Sequence, residues 1–487
     1  MAARREFAPG IALETHKQAA MQSRIAPAPA PAQAFVLLDQ GDGRHTVPCV
    51  RVGERVRLGS PIACADTDAG ADLHAPVAGR VRSIGVLERV PDAGHAIIID
   101  NDGSDERDPG FEPLPPPETL PPGELIELIR RGGIAGLGGA LFPTATKLAQ
   151  ARARSIAHLV LNGAECEPWI CCDDALMREA ADDVVRGAQL MLRASGAKRG
   201  TIAIENDKPQ AGEALGAALA AVGDARLALV VLPAVYPAGA ERQLLTAVTG
   251  LEVPEGARPP DIGLLSQNVG TAAAVARLAR TGEPLIRRVV TISGSGVARP
   301  CNMDARIGTP IAELIGAAGG YTGTPRRLWF GGSMTGRALP DDAWPLTRAM
   351  NCIVAATDAD LVSAASVERP CIRCGDCARV CPAGLLPQEL HRGVRSHDES
   401  LLERYGLADC IECGCCDYVC PSAIPLVERF RRERVAMRER LAAASRATEA
   451  RLHFERHERR AADLEASRRR EFEDARRRAR DHSADGG

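Results

Sequence analysis

The sequence predicts a multidomain chain of α/β plus α+β class, and three observations carry that prediction. Its 487 residues exceed a single domain of roughly 100–200 residues. Through the middle, strand-like apolar runs alternate with helical patterns, which argues for a parallel sheet. Toward the C-terminus one cysteine pattern occurs twice. It reads Cys371-Ile-Arg-Cys374-Gly-Asp-Cys377-Ala-Arg-Val-Cys381-Pro382, then Cys410-Ile-Glu-Cys413-Gly-Cys-Cys416-Asp-Tyr-Val-Cys420-Pro421.

Composition narrows the class. Hydrophobic residues at 45% with 25% charged are ordinary for a soluble protein with real cores. Aromatics at 3% argue against stacking platforms for single-stranded nucleic acid, so nucleic acid is not expected as a partner. The net charge of −3 is unevenly placed: residues 428–481 hold 18 Arg against 12 Asp and Glu, leaving −9 for the rest. No apolar run reaches the roughly 18 residues a membrane span needs. Sixteen cysteines without a signal-like opening lead us to expect a reducing compartment.

In chain order, a polar and then Ala-Pro-rich segment runs to about residue 33 and is expected to lie extended over the surface. Residues 35–100 read as short strands with Gly turns, in two halves around Val50–Pro61 and His74–Val81. The pair resembles a biotinyl/lipoyl-type barrel-sandwich hybrid. Its hairpin tip, Ala69-Gly-Ala-Asp-Leu73, lacks the lysine of a swinging arm, so we read residues 1–112 as an N-terminal extension and a structural module.

A Pro-rich linker, Pro113–Pro117 and Pro121-Pro122, precedes a helix at Gly123–Arg131. Then comes Gly132-Gly-Ile-Ala-Gly136-Leu-Gly138-Gly-Ala-Leu141-Phe142-Pro-Thr-Ala-Thr-Lys147. Closely spaced glycines let backbone N–H groups reach phosphate oxygens, and a following helix N-terminus favours the anion. A tight turn explains the glycines equally well until the context is added.

Strands at His158–Asn162, Gly200–Glu205 and Leu227–Ala234 alternate with helical patterns at Asp174–Ala194 and Pro209–Val222, giving a Rossmann-like domain over 123–282. A ligand then belongs at the carboxyl ends of the strands. Glu165 and Glu167 lie just past such an end; Asp173 and Asp174 read as acids offsetting a helix dipole. Tyr236-Pro-Ala-Gly239-Ala-Glu241 opens a helix, and Gln267-Asn268-Val-Gly-Thr271 follows.

Residues 285–345 read as a β-grasp unit. Arg287–Gly294 and Cys301–Gly308 form a hairpin-like pair, Thr309 is the expected cap of a helix starting at Pro310, and Arg327–Phe330 returns as a strand.

The paired motif defines a 360–428 cluster domain. C-x2-C-x2-C-x3-C-P is a two-cluster iron–sulfur signature, in which the fourth cysteine of each run serves the other cluster. Cys371, Cys374, Cys377 and Cys420 are expected to hold one [4Fe-4S], and Cys410, Cys413, Cys416 and Cys381 the other. Zinc sites favour paired C-x2-4-C or Cys/His sets, and neither run contains a His. Helical patterns at Leu385–Val394 and Glu399–Tyr405 lie between the runs, so the unit is mainly helical. Residues 429–487, rich in Arg, Glu and Ala with many i,i+4 opposite charges, read as a long solvated helix; its basic excess suits an anionic membrane surface or acidic partner no better than bare solvation.

Taken together, these segments resemble the C subunit of the Rnf complex, with a flavin domain similar to the NADH-binding flavoprotein subunit of respiratory complex I. The resemblance covers nearly all of residues 1–430. It implies a barrel-sandwich hybrid, a flavin/NADH domain, an SLBB-like β-grasp and a dicluster ferredoxin unit. It implies a peripheral subunit on the cytoplasmic face of the bacterial inner membrane, within a ferredoxin:NAD+ oxidoreductase complex coupled to ion movement. Partners would be the other Rnf subunits, NAD(H), and ferredoxin through a partner subunit. FMN would meet Gly136, Gly138 and Lys147, with Asn162 and Glu165, Gly239 and Glu241, and Asn268 and Thr271. Phe142 and Glu167 would stand near the nicotinamide. Leu141 occupies a position that is usually Gly, and Arg258-Pro-Pro-Asp261 offers no aromatic where the relatives have one. Two other readings stay open at this point: a soluble NADH dehydrogenase or hydrogenase-type flavoprotein, and a non-catalytic iron–sulfur scaffold whose flavin site has decayed.

Overall fold

The computed structural model describes residues 10–41, 46–88, 90, 93–110, 119–361 and 367–484, with side chains to 478. The Pro113–Pro117 linker, the first nine residues and the stretch 362–366 within the expected cluster domain lie outside the described residues. The chain divides into two compact units, Met1–Leu386 with Cys413–Ile424, and Pro387–Glu412 with Pro425–Gly487.

The first unit opens with a short helix α1 (Gln18–Met21) and strand β1 (Ile25–Pro27). Part of the segment expected to run extended over the surface does so as β1, which adds in parallel to the edge of a later sheet, at β14 (Cys301–Arg306). Next come β2 (Gln33–Leu37), β3 (Thr46–Pro48), β4 (Arg55–Val56), β5 (Pro61–Ala65), β6 (Leu73–His74), β7 (Gly79–Val86) and β8 (His95–Asn101). They form two sheets, β2-β8-β7-β4 and β3-β5-β6. Alternating residues turn Val36, Val56, Ile62, Leu73, Val81, Ile97 and Ile99 into one core. Each such side chain, fully buried, contributes about 1.5–3 kcal/mol. The lysine-free tip is docked: Thr146 Oγ1 donates to the Asp68 carbonyl (2.6 Å), and the Arg348 guanidinium donates to the Asp72 carbonyl (2.5 Å).

The α/β domain holds α2 (Pro122–Arg131), α3 (Thr144–Arg152), β9 (His158–Gly163), α4 (Cys172–Glu179), α5 (Ala181–Ser195), β10 (Arg199–Glu205), α6 (Pro209–Val222), β11 (Leu227–Leu232), α7 (Glu241–Thr249), β12 (Leu264–Asn268) and α8 (Val269–Thr281). The sheet order is β11-β10-β9-β12, all parallel. Two details differ from expectation. The helix expected over Asp174–Ala194 is broken at Ala180 (φ −133°, ψ 38°) into α4 and α5. Strand β12 went unpredicted, because its five residues pass into α8 with no linker. Gly187 of α5 is demanded by packing: a Cβ there would sit 1.9 Å from the Ala272 carbonyl of α8.

The β-grasp comprises β13 (Arg287–Ser293), β14, α9 (Ile311–Ala317), β15 (Arg327–Phe330), β16 (Arg337–Ala338) and β17 (Cys352–Ala356). Its sheet runs β1-β14-β13-β17-β15-β16. The fully buried strand β17 lies beyond residue 345, where the sequence led us to end the β-grasp unit. Thr309 does not cap α9: its hydroxyl donates to the Arg306 carbonyl (2.8 Å), and Pro310 occupies the cap. Closing the first unit are the cysteine loops with their one-turn helices α10 (Asp376–Arg379) and, after residue 412, α13 (Cys415–Tyr418), which pack together.

The second unit contains α11 (Pro387–Ser396), α12 (Glu399–Arg404) and the 59-residue α14 (Leu426–Ala484). Leu390, Leu402, Leu407, Leu426, Val427 and Phe430 are buried within it. Glu412 receives Arg431 (2.8 Å) and Arg434 (2.9 Å), and Arg440 meets Glu399 (2.6 Å). From residue 438 to 478 the helix is exposed throughout. Among the described residues no helix is long and apolar enough to cross a membrane.

Candidate functional site

The Gly-rich loop joins α2 to α3 at the carboxyl end of the parallel sheet. Its ends are braced internally. Gly136 N–H donates to the Phe142 carbonyl (3.0 Å), Leu137 N–H donates to Thr271 Oγ1 (2.9 Å), and buried Arg288 reaches the Leu137 carbonyl (3.4 Å). Between the braces, Gly138, Gly139 and Ala140 are exposed, and among the described residues no protein acceptor takes their N–H groups. Gly139 has φ +100°, and a Cβ on it would meet nothing within 4 Å. A loop held at both ends with free, outward amides beside a helix N-terminus fits a phosphate.

Leu141 adopts φ +51° and is buried. With Leu38, Gln40, Gly70, Leu73, Ala135 and Arg348 it lines a small cavity of about 20 Å³ against the barrel-sandwich domain. Its side chain thus packs on that neighbour.

The strand ends assemble most of the expected cofactor residues in pairs. Asn162 at the end of β9 donates to the Gly239 carbonyl (2.8 Å). Lys147 of α3 pairs with Glu241 of α7 (3.0 Å). Asn268 at the end of β12 caps α8, accepting from Gly270 and Thr271 N–H, and donates to Asp173 (2.7 Å). A Cβ on Gly138 would lie 3.2 Å from Asn268 Cβ. Phe142 is half-buried at the loop's end.

Two acids take other partners. The carboxylate of Glu165, a residue at φ +53°, accepts from the N–H groups of Asp173 (2.7 Å) and Asp174 (3.1 Å), satisfying the first turn of α4. Burial pushes its pKa up to about 7, the Asp173 charge adding to the shift and Lys17 and Lys208 opposing it. Glu167 accepts from Met334 N–H (3.1 Å) and from the Thr335 hydroxyl, so it holds the β-grasp loop; burial raises its pKa, against those two hydrogen bonds. Glu167 thus stands apart from the paired set.

Several contacts carried little or no sequence signal. Lys17, a lone cation in a polar stretch, is buried with Nζ 2.5 Å from the Glu165 carbonyl. Lys208 and Glu205 form a buried pair at 2.8 Å past β10, legible only as an i,i+3 spacing. The Tyr236 hydroxyl donates to the Cys413 carbonyl (2.6 Å), tying the Tyr236–Glu241 loop to a cysteine of the second motif.

The two motifs repeat in backbone conformation as well as in spelling. Arg373 and Glu412 have φ +59° and +55°, Gly375 and Gly414 +81° and +82°, and Gly384 and Ala423 +65° and +49°. Cys371, Cys374, Cys377, Cys381, Cys413, Cys416 and Cys420 lie in the first unit and Cys410 in the second, none of them in a disulfide. Within the first unit, Arg369 N–H donates to the Ser422 carbonyl (2.9 Å) and Ser422 Oγ to the Pro370 carbonyl (3.0 Å). The chain running into Cys371 is therefore held to the chain leaving Cys420. Buried Cys415 packs with Ile11 and Tyr236, the role of a core residue.

Comparison with known proteins agrees with this anatomy. Family models match for the RnfC barrel sandwich hybrid domain (residues 5–104), the Nuo51 FMN-binding domain (129–277), the SLBB domain (289–338) and the 4Fe-4S dicluster domain (370–424). FMN and [4Fe-4S] clusters are thereby the chain's cofactors. The chain is 44% identical to the C subunit of the ion-translocating oxidoreductase complex of Pseudomonas aeruginosa, over 93% of this chain and 58% of that one. It thus spans little more than half the length of that relative. It is 41% identical to the protein of the same name from Rhodobacter capsulatus, over 86% and 81%. With its Haemophilus influenzae counterpart it shares 39%, over 86% and 63%. Two solved structures of an NAD+-reducing [NiFe]-hydrogenase, H2-reduced and air-oxidized, align at 21% identity. Their TM-scores are 0.46 and 0.47, over 63% and 62% of this chain and 61% of theirs.

Proposed function

Because the chain belongs to the family of C subunits of the ion-translocating oxidoreductase complex, we propose that it is the complex's peripheral NAD(H)-facing electron-transfer subunit. In this reading it exchanges electrons between NAD(H), FMN and two [4Fe-4S] clusters. The observation that carries the reading is a link only a few residues long. The loop bearing Gly239, bonded to Asn162 at the cleft, also presents Tyr236 to the carbonyl of Cys413.

When bound, FMN supplies the conversion between a two-electron hydride and single electrons. The chain's own residues do the positioning. The amides of Gly138 to Ala140 are proposed to hold its phosphate; Asn162, Gly239, Glu241, Lys147, Asn268 and Thr271 fix the walls through their mutual bonds. Phe142 and Glu167 are proposed to border the nicotinamide, Glu167 acting through the 331–336 loop that its carboxylate holds. Cys371, Cys374, Cys377 and Cys420 would ligate one cluster and Cys410, Cys413, Cys416 and Cys381 the other. No acid–base pair is required. The remaining subunits, at the cytoplasmic face of the inner membrane, are the proposed partners, with ferredoxin acting through one of them.

The test is co-purification and turnover. Tagged protein expressed with its membrane subunits should be retained with them in detergent, and the reconstituted protein should oxidise NADH with an artificial acceptor. A protein that turns over NADH but never associates with membrane subunits supports the soluble flavoprotein instead.

A further inference from the structure

The N-terminal segment ahead of the barrel-sandwich strands runs past the carboxyl ends of β11 and β9, at Tyr236 and Glu165. Ile11 exchanges backbone hydrogen bonds with Tyr236 (2.9 and 3.0 Å). A Cβ on Gly10 would sit 2.4 Å from the Tyr236 carbonyl, so only glycine passes there. Trp169 N–H donates to the Thr15 carbonyl (2.8 Å), and the His16 ring stacks on Trp169 at 4.4 Å and 6°. The Met21 carbonyl receives Arg178 (3.0 Å), and the Ala20 carbonyl receives Asn302 (3.0 Å). At the centre of this strap is Lys17, which is 2% exposed.

A buried ammonium costs several kcal/mol in lost hydration unless its surroundings need the charge. Lys17 Nζ donates to a backbone carbonyl, that of Glu165, immediately past β9. The neighbouring acids have partners of their own: Glu165 the α4 amides, Glu167 the β-grasp loop, Glu205 the Lys208 ammonium, Asp173 the Asn268 amide. The charge of Lys17 opposes the upward shifts that burial gives all four carboxyls.

We infer that Lys17 is a flavin-positioning residue, the cationic wall that this strap contributes to the FMN cleft, and that it favours the ring as the ring gains negative charge on reduction. The inference rests on the FMN reading above, yet it concerns a segment outside the 129–277 flavin domain. A cation beside a reducible ring raises its potential, and a charge-assisted bond in a buried site is worth about 10- to 100-fold in affinity.

The experiment uses the full chain with both clusters reconstituted. FMN affinity is read from fluorescence quenching and FMN midpoint potential from spectroelectrochemical titration, for wild type, Lys17→Met and Lys17→Arg, each checked for folding by thermal denaturation. Lys17→Met is expected to bind FMN at least about tenfold more weakly with the midpoint moved negative, and Lys17→Arg to recover most of both. Unchanged affinity and potential in Lys17→Met overturn the inference, and so does a loss of thermal stability alone with both flavin readouts intact. If Lys17→Met does not fold, Lys17→Gln takes its place, and unaltered affinity and midpoint in Lys17→Gln overturn the inference equally. Failure of the wild type to bind FMN would refute the underlying flavin reading instead.

Discussion

Leu141 shows how a single side chain is decided by competing terms of known size. Its left-handed backbone costs about 1–2 kcal/mol, and a glycine there would free the unfolded chain by roughly 0.4–1 kcal/mol. On sequence alone these terms nearly balance. The packing of Leu141 against Leu38 and Leu73 decides the matter, since deleting a buried leucine costs about 2.7–5 kcal/mol. Leu141→Gly should therefore lower the unfolding free energy by about 2 kcal/mol, read from the denaturant midpoint. Flavin occupancy at saturating FMN should be unchanged, because the side chain points into the barrel-sandwich interface. Glu165 gives a second prediction. Its folded pKa, about 7, lies above the ordinary carboxyl value near 4.3. The native chain thus holds this proton more tightly than the unfolded one. The stabilisation is fully present below the ordinary value and is lost as pH rises toward 7. Apo-protein should lose stability across that window, and Glu165→Gln should flatten the slope; an equal slope in both proteins would contradict the assignment.

Among the elements, legibility followed how local the signal was. The helix α6 and strand β15 were readable at their ends because Pro209 and the flanking turns mark them. Strand β12 and the Ala180 break were not, since a five-residue strand and a one-residue break leave no period to read. The site shows the same division. Glycines, Asn162, Asn268 and the cysteines announce themselves by spacing, whereas Lys17 reaches Glu165 from 148 positions away and Glu205–Lys208 enters only by three-dimensional neighbourhood. The cysteine loops carry a sharp prediction at this level. Cys381→Ala should remove the cluster held by Cys410, Cys413 and Cys416, with iron falling by about half and one paramagnetic signal retained. Loss confined to the first-run cluster would contradict crossed ligation. Helix α14 carries the opposite kind of prediction. Among the described residues its last buried one is Phe430, and it is exposed from residue 438 to 478, so removing residues 445–487 should leave iron content and thermal midpoint unchanged while lowering the helical circular dichroism.

In the molecule as a whole, the barrel-sandwich tip, the β-grasp loop and the N-terminal strap all contact the α/β domain, at Thr146, Glu167 and Glu165. The four domain types and their order were legible in the sequence, since each is a local pattern. Their mutual bracing was not: the contacts of Arg348 with Asp72, Glu167 with Met334 and Tyr236 with Cys413 join residues 167 to 276 positions apart. If one chain conducts electrons from a nicotinamide through FMN to two clusters, NADH alone must reduce all three centres. An anaerobic titration of the reconstituted protein with NADH, following flavin absorbance and cluster paramagnetic signals on a sample with counted flavin and iron, tests this. One flavin and eight irons (two [4Fe-4S] clusters) are expected per chain, with bleaching of the flavin and reduced-cluster signals that vanish in Cys413→Ala for one cluster only. Clusters that dithionite reduces but NADH leaves oxidised, on protein with full flavin, would contradict it.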